Sequence, residues 1–401
     1  MSKFAKLVTS PGVFFRDAFI KKYPLSVPDG KGKVLLEDKN RKSNAQSEKN
    51  SELRELDTAG LGVTFPVDMV FTWVDADDPD FIELFNRYAP VESQKSTLSN
   101  VARFKSLDEL KYALRSIFEY AYWVNKVYIV TNGQAPSWLN QEHPKIRIVP
   151  HEEILDAKYL PTFNSHVIES AIHNIEGLSE HYIYFNDDMM LLRKIDPSYF
   201  FSGAGLGYMF SSKVNLPQTP INLAYDSATE WGAKNARRLI FDKYGLYVER
   251  MFAHTFYPQI KSVAELCEKT WPEAFDQCRR NRFRAPTDIF CTGFLFPHVA
   301  HLTGKAVFTK TRLFYFNVRK RVALDYYRML KVKKNKDSIP FSMCPNDRSS
   351  EDGLDFPDYH VHLTNALSEF YDTPSPFEII EKRLKYCLKV IVILKGVKIY
   401  G

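Results

Sequence analysis

Short apolar runs alternate along the chain with longer stretches whose apolar residues recur every three or four positions. Aromatic and β-branched content predicts that the short runs are buried strands, and these are Asp68–Val74, Lys126–Val130, Ile146–Val149 and Tyr182–Phe185. Helical spacing predicts one helix over 107–120, with Ser106 as N-cap and Glu109 completing a capping box, and another over about 166–176. This order of elements predicts a largely parallel α/β sheet with helices on both faces.

The pattern beyond residue 197 is less regular. Residues 197–227 read as loop and insertion, and helices are predicted over 228–243 and 261–279. The second of these helices has four candidate core positions, Val263, Leu266, Trp271 and Phe275. The carboxy-terminal portion of the fold is therefore expected to be helical.

Two of the predicted strands end abruptly in acidic side chains. The last strand is followed by Asn186, Asp187 and Asp188, and the first is followed by Asp75, Asp77 and Asp78. Adjacent carboxylates in such a position repel each other and resist desolvation unless a cation is present. Because ligands bind beyond the carboxyl ends of the strands in parallel sheets, both clusters are expected to share one site. A divalent metal with a phosphorylated ligand satisfies that arrangement.

Composition and charge narrow the class of protein. With 401 residues, 45% hydrophobic and 25% charged, the chain has the profile of a soluble globular protein with a large core. The net charge of +6 combines +4 in residues 1–24 and +6 in residues 382–401 with −4 in the remainder. A mildly acidic body argues against nucleic acid as a partner. The five cysteines are scattered without a C-x-x-C pair, which favours a reducing compartment.

The charge distribution also predicts the domain organisation. Residues 1–29 form a basic aromatic arm, 30–62 a polar linker, 63–380 the catalytic domain and 381–401 a basic amphipathic tail. The chain shows no signal peptide and no apolar run of 18 residues. Lysines beside apolar side chains at both ends favour peripheral contact with an anionic membrane, although a terminal helix packed on the body fits either end equally well.

Four stretches of the chain resemble the signature regions of the Stealth family. The first runs from Asp68 through Thr72-Trp73-Val74-Asp75 to Asp78-Pro79. The second begins at Arg103-Phe104 and includes Leu114-Arg115-Ser116, Thr131-Asn132-Gly133-Gln134, His166, Glu169-Ser170 and Phe185-Asn186-Asp187-Asp188. The third runs from Ala253-His254 to Arg284 and Asp288, and the fourth is the short Cys344-Pro345-Asn346-Asp347.

The resemblance implies an enzyme of capsule biogenesis with a Rossmann-like or GT-A-like fold. Its expected reaction moves a hexose- or N-acetylhexosamine-1-phosphate from a UDP-sugar to an acceptor hydroxyl and releases UMP, with Mg²⁺ or Mn²⁺ as cofactor. The acceptor would be a growing capsular polysaccharide or a lipid-linked sugar at the inner face of the bacterial plasma membrane. Two alternatives remain open: a glycosyltransferase that releases UDP, and a non-catalytic sugar- or membrane-binding component of a capsule assembly.

The resemblance and the residue chemistry together give the candidate site. Asp187 and Asp188, with Asn186, are expected to hold the metal or take the proton, and His254 and Arg284 to act as base or phosphate partner. Candidate substrate contacts are Asp75, Asp78, Arg103, Arg115, Asn132, Gln134, Glu169, Ser170, His173, Asp288 and Asn346.

Several of these residues have a plainer structural interpretation. Asp188 could cap a following helix, Asp77 could belong to a turn directed by Pro79, and Arg115 could pair with Glu119 within its helix. Arg279, Arg280 and Arg282 are expected to be solvated charges at a helix end. Trp73, Trp123 and Trp138 are expected to pack in the core, although Trp138 could also stack on a base or sugar.

Overall fold

The computed structural model describes residues 62–89, 107–334, 336–347 and 355–379. The strands are β1 Val67–Thr72, β2 Val127–Thr131, β3 Ile146–Pro150, β4 His181–Asn186, β5 Met190–Leu191, β6 Gly207–Asn215, β7 Arg250–Phe252, β8 Tyr257–Ile260, β9 Ala306–Thr309, β10 Leu313–Asn317 and β11 Ser342–Asn346. The α-helices are α1 Pro79–Tyr88, α2 Glu109–Tyr120, α3 His151–Ile154, α4 Ser165–Glu169, α5 Ala228–Tyr244, α6 Lys261–Thr270, α7 Pro272–Arg279, α8 Phe296–Leu302, α9 Ala323–Lys333 and α10 Tyr359–Phe370.

A five-stranded sheet in the order β3-β2-β1-β4-β8 forms the centre of the molecule. The first four strands are parallel, and β8 runs antiparallel to β4 at the edge. Thr72 pairs with Asn186, so β1 and β4 end side by side. This register confirms the predicted α/β class, the four parallel strands and the common edge where the two acidic clusters emerge.

The core explains why the strand sequences are apolar without alternation. Met69, Val70 and Phe71 are each 0% exposed, although successive side chains of a strand point to opposite faces. Both faces of the sheet are therefore covered by protein, as parallel sheets require. Helix α2 contributes Leu110, Leu114 and Ile117 to this core, each at 1% exposure or less. Burial of each such side chain stabilises the fold by about 1.5–3 kcal/mol.

Two smaller sheets extend the fold around the central one. Strands β10, β11 and β5 form one of them, and β7, β6 and β9 form the other. The first lies next to the acidic cluster, because β5 follows Asp188 directly and pairs with β11 through Met190 and Met343. The nine-residue strand β6 shows that the prediction of loop for 197–227 is wrong over 207–215.

The first predicted helix begins two residues later than expected. Helix α2 starts at Glu109, and Asp108 precedes it in the left-handed region with φ 63° and no side-chain cap. The predicted capping box is therefore wrong, and Ser106 lies outside the described residues. Glu109 Oε2 instead accepts a hydrogen bond from Leu107 N at 2.5 Å.

Two further helices are interrupted. The segment predicted as one helix over 166–176 is α4 followed by a 3-10 turn at Ile172–Asn174. The helix predicted over 261–279 breaks at Trp271, because Pro272 starts a new helix and has no N–H to continue the old one. Leu266, expected in the core, is 38% exposed. The predicted arm, the tail and nearly all of the linker lie outside the described residues, and no described helix is long and apolar enough to span a membrane.

Candidate active site

The carboxyl end of β1 leads into a turn organised by Gln134. The Gln134 side chain accepts from Asp75 N at 2.8 Å and donates to Asp75 O at 3.0 Å and to Asp78 Oδ2 at 2.6 Å. Asp78 Oδ1 also accepts from Asp80 N, so Asp78 is the N-cap of α1. The predicted substrate residues Asp75, Asp78 and Gln134 are thus brought together, with Gln134 and Asp78 shaping the turn and Asp75 at its tip.

The carboxyl end of β4 places Asp188 against the small sheet of β10, β11 and β5. Asp188 Oδ2 accepts from Cys344 Sγ at 3.2 Å and from Asn346 Nδ2 at 3.3 Å, both on β11. Asp188 Oδ1 is buried and has no hydrogen-bond partner among the residues that the structure describes. No helix follows Asp188, so the alternative that it caps one is wrong. Asn346 lies beside Asp188, and its predicted contact with substrate stays a prediction.

Three carboxylates meet at this edge of the sheet. Burial, reinforced by the charge of Asp188, raises the pKa of Asp187 to about 7. Burial also raises the pKa of Glu109 to about 8, with further contributions from the charges of Asp187 and Asp188. Glu109 is 6% exposed and starts α2, which packs along β5 through the Leu191 N to Ser116 Oγ bond of 3.0 Å. Such under-neutralised carboxylates are a strong electrostatic reason for a cation to bind here.

His254 approaches Asp188 from the β7–β8 connection. Its Nδ1 lies 3.1 Å from Tyr257 OH, and its ring packs edge-on against Tyr315 at a centroid distance of 5.5 Å. Burial lowers the pKa of His254 and outweighs the opposing charge of Asp188, so the imidazole is neutral near pH 7. Ligand atoms of Asp188, His254 and Cys344 lie within 4.8 Å of one another, which makes this trio a second possible metal set.

Arg284 and Glu169 lie close enough to influence each other, and the charge of Arg284 also acts on His254. Burial lowers the pKa of the Arg284 guanidinium, and its Nη2 donates to Ser165 Oγ at 2.9 Å. Burial raises the pKa of Glu169, which accepts a hydrogen bond from Thr292 Oγ1 and is also influenced by the charge of Arg284. Glu169 is 5% exposed, so the pair offers one cationic and one acidic group in a largely desolvated setting.

Four predicted contact residues have structural partners instead. Arg115 donates to both oxygens of Glu378 at 2.8 and 2.7 Å and to Tyr371 O at 2.7 Å, so its partner is Glu378 rather than Glu119. Ser170 accepts from Arg279, and His173 Nε2 lies 2.7 Å from Glu268 Oε2. Asp288 is 0% exposed and surrounded by donors of its own protein. These contacts favour structural roles over the predicted substrate contacts.

The arginine cluster differs from the prediction at one position. Arg279 is 7% exposed and bonds to Glu268 and Ser170, so it is not a solvated helix-end charge. Arg280 keeps the expected exposed position and pairs with Asp276 at 2.8 Å. Hydrogen bonds from His173 and Arg279 outweigh the effect of burial and lower the pKa of Glu268 to about 2.

The structure gives less information about two predicted substrate contacts, Asn132 and Arg103. Asn132 Oδ1 is buried without a hydrogen-bond partner in the described part of the chain, which leaves a free acceptor after β2. Arg103 lies outside the described residues. Sequence reasoning missed Glu109, Cys344 and Tyr257 as site residues, because a helix-start glutamate, a lone cysteine and a strand tyrosine each have a common structural explanation.

Comparisons with known proteins give one consistent result. Models of Stealth protein conserved regions 1, 2 and 3 match residues 65–90, 103–208 and 253–301. The capsular polysaccharide phosphotransferase fcs1 of Haemophilus influenzae is 36% identical over 92% of this chain and 100% of its own length. The capsular polysaccharide phosphotransferase LcbA of Neisseria meningitidis is 34% identical over 92% of this chain and 100% of its own length. Among solved structures, galactosyltransferase LgtC aligns over 80% of this chain and 99% of its own, with 10% identity and a TM-score of 0.37. That structural likeness is too weak to support an inference. The fourth Stealth region, expected at Cys344–Asp347, stays a prediction.

Proposed function

The chain belongs to the Stealth family, and from this premise we propose that it is a capsular polysaccharide phosphotransferase. It transfers a hexose- or N-acetylhexosamine-1-phosphate from a UDP-sugar to an acceptor sugar hydroxyl. The acceptor oxygen forms a bond to the sugar-bearing phosphorus while the bond from that phosphorus to the bridging oxygen breaks. UMP leaves, and the product is a phosphodiester.

The observation that carries the proposal is the meeting of Asp187, Asp188 and Glu109 where β4 ends. The buried, unpartnered Asp188 Oδ1 and the raised pKa of Asp187 fit a divalent cation at this point. Carboxylate oxygens, with the Asn186 side-chain carbonyl, are ligands that Mg²⁺ or Mn²⁺ prefers. Asn186, Asp187 and Asp188 would hold the ion, which when bound neutralises the diphosphate and the leaving group.

The remaining groups perform the positioning and proton transfer. Arg284 binds the equatorial oxygens of the transferring phosphoryl group through its planar fork. The neutral His254 is a suitable base: with its Nδ1–H donating to Tyr257 oxygen, Nε2 takes the proton of the acceptor hydroxyl. Glu169 accepts hydrogen bonds from sugar hydroxyls. Asp75 accepts from a sugar hydroxyl, and Asn132 Oδ1 accepts from an N–H or O–H group of the nucleotide.

One enzymatic alternative uses the same donor but breaks the sugar–oxygen bond and releases UDP. The names of the relatives favour phosphoryl transfer over this reaction, since each is a phosphotransferase. A non-catalytic binding protein is disfavoured by the preserved cluster of charges at the strand ends.

The test is incubation of the purified protein with a panel of nucleotide sugars, a primer and Mg²⁺, followed by ³¹P NMR. The proposal predicts a new phosphodiester resonance together with nucleoside monophosphate. Nucleoside diphosphate without a phosphodiester would establish the glycosyltransferase instead. Absence of any product across the panel, with a folded protein and intact primer, would leave the non-catalytic interpretation.

The place of action is proposed as the inner face of the bacterial plasma membrane, supported by the basic, apolar sequences of 1–29 and 381–401. Deletion of 382–401 is expected to move the protein from the membrane to the soluble fraction while activity on a soluble primer persists. An unchanged membrane fraction would refute a membrane role for the tail.

A further inference from the structure

Asp288 lies at the centre of a buried hydrogen-bond hub between two segments that are far apart in sequence. Its carboxylate accepts from Asn164 Nδ2 at 3.0 Å to each oxygen and approaches His166 Nδ1 at 3.1 Å. From its own loop it accepts from Asn281 Nδ2 at 2.8 Å and from Ala285 N at 3.0 Å. With 0% exposure, the carboxylate has both oxygens committed to protein groups.

The two segments that meet at this hub carry Glu169 and Arg284. Residues 162–164 lead into α4, which ends at Glu169, whereas the 281–288 loop contains Arg284. Arg284 Nη2 also reaches Ser165 Oγ, between the two residues that bond to Asp288. The relative position of Arg284 and Glu169 therefore depends on how the loop is attached to the start of α4.

Backbone contacts strengthen the same attachment. Phe163 N donates to Arg282 O at 2.8 Å, and the Asn164 side chain reaches the carbonyls of Asn281 and Phe283 at 3.2 Å. The rings of Phe163 and Phe283 stack at a centroid distance of 5.2 Å. From the other side, Asn235 of α5 donates to Pro286 O and Asp288 O at 2.7 and 2.9 Å. The loop is thus held at several points, and Asp288 is the anion on which the side chains of Asn164 and Asn281 converge.

We propose that Asp288 is a positioning residue of the transfer reaction, which sets Arg284 in register with Glu169 without touching the substrate. This inference rests on the function proposed above. A carboxylate is needed because it accepts from every side, whereas an asparagine at the same place would turn its own N–H₂ group towards some of those donors. Loss of that order moves the guanidinium away from the transferring phosphoryl group.

The test is a double-mutant cycle on kcat/KM with D288N, R284A and the double variant, measured with the donor that gives product. Because D288N acts through Arg284, alone it should lower kcat/KM about 10- to 100-fold, the range seen when a partner that orients an active-site ligand is removed. The loss should fall mainly on kcat, with donor KM changed less than about threefold. In the R284A background the same substitution should cost less than about threefold, since residues that act as a unit are non-additive.

Two further variants keep the cycle interpretable. D276N changes a carboxylate on α7 that pairs with Arg280 and Tyr159, and it should leave kcat/KM near that of the unmodified enzyme. N281A removes one donor to Asp288 and should give a smaller loss that also vanishes in the R284A background. If D288N does not fold, N281A decides the question by the same cycle.

The outcomes separate this inference from the proposed function. An unmodified enzyme that makes no phosphodiester defeats the function and the inference with it. An active enzyme in which D288N or N281A costs the same factor with and without Arg284 overturns the positioning role alone. A D288N effect confined to donor KM would instead indicate direct substrate contact, and wild-type activity in D288N would also overturn the proposal.

Discussion

The two ends of the β1–β4 strand pair differ in how completely they supply hydrogen-bond donors to their aspartates. At the amino end, Asp68 is 0% exposed and accepts from Asn125 Nδ2 at 2.8 Å, Lys126 N at 3.1 Å and Ser179 N at 2.7 Å. At the carboxyl end, Asp188 has one oxygen bound by Cys344 and Asn346 and the other without a partner in the described residues. Both positions follow from the parallel topology of β1 and β4. The donors around Asp68 satisfy both of its oxygens, whereas Asp188 keeps one oxygen without a partner in the described residues.

The difference separates structural from functional carboxylates. Backbone and amide donors that converge on Asp68 replace its hydration and make it part of the fold. At the carboxyl end, Asp187, Asp188 and Glu109 are near enough for their charges to act on one another, and this repulsion favours a cation that binds there. A carboxylate whose oxygens lack donors is therefore a candidate to bind a cation, whereas Asp288, with its full set of donors, can act only by positioning its neighbours.

The aspartates at the two strand ends are expected to differ most in their effect on activity. D188N, and separately D187N, should lower kcat by about 10³-fold or more, because each removes charge that holds the cation at the reacting diphosphate. The free energy of unfolding should stay unchanged or rise, since one of two repelling carboxylates becomes neutral. Initial rates with the active donor and urea unfolding curves measure the two quantities. Near wild-type turnover in both variants would show that the site is elsewhere.

A bound cation should stabilise the protein through the aspartates at the carboxyl end of β4 and not through Asp68. At 100 times its dissociation constant, Mg²⁺ should increase the free energy of unfolding by about 2.7 kcal/mol over the value in EDTA. D187N and D188N should lose this increment, whereas D68N should keep it. C344S is the matched test of the second ligand set: if it abolished the Mg²⁺ effect, or if Zn²⁺ alone stabilised the protein, the Asp188–His254–Cys344 trio would hold the metal.

At the amino end of β1, substitution of Asp68 should lower stability and leave activity nearly unchanged. D68N turns an N–H₂ group towards donors that now bond to a carboxylate, and it should lower the free energy of unfolding by about 1.5–3 kcal/mol. The folded fraction should retain nearly full kcat, measured at a temperature where the variant is folded. A large loss of kcat without loss of stability would contradict the structural assignment of Asp68.

The smallest expected effect concerns pH. The pKa of Glu109 is about 8 in the folded protein, against an ordinary value of 4.5. The folded state therefore binds this proton more tightly, so the stability it contributes is complete below pH 4.5 and lost as the pH rises through about 8. In EDTA, E109Q should reduce the fall in stability between pH 5.5 and 8.5. If the pH dependence of stability in the urea unfolding series were the same for E109Q, the pKa of Glu109 would not be raised in the folded protein.

Local pattern was sufficient to predict the framework of this molecule. Aromatic and β-branched runs identified the four parallel strands to within a residue or two, and polar residues at their ends located the acidic edge. The roles of individual polar side chains depend on tertiary contacts, which the local pattern does not show. Glu109 resembles a capping residue in sequence, but in the fold it is buried within reach of the charges of two aspartates. The left-handed Asp108 before it has no sequence signature beyond its residue type.

The sequence alone did not predict which distant residues the buried arginines bind. Arg115 has a nearby glutamate in its own helix, but it binds Glu378, which is 263 positions away. Arg279 follows the pattern of a solvated helix end, yet Glu268 and Ser170 enclose it. In each case the polar residue is identifiable from sequence, whereas its role depends on which oxygen the fold brings to it.

Sugar-1-phosphate transfer centred on the carboxylates at the carboxyl end of β4 is tested most directly by following the β-phosphorus of a radiolabelled UDP-sugar. Parallel incubations use the unmodified enzyme, D188N and D68N. We expect label in the polymer for the unmodified enzyme and D68N, with unlabelled UMP released, and almost none in the polymer for D188N. Label released as UDP, or equal incorporation by D188N, would contradict this expectation.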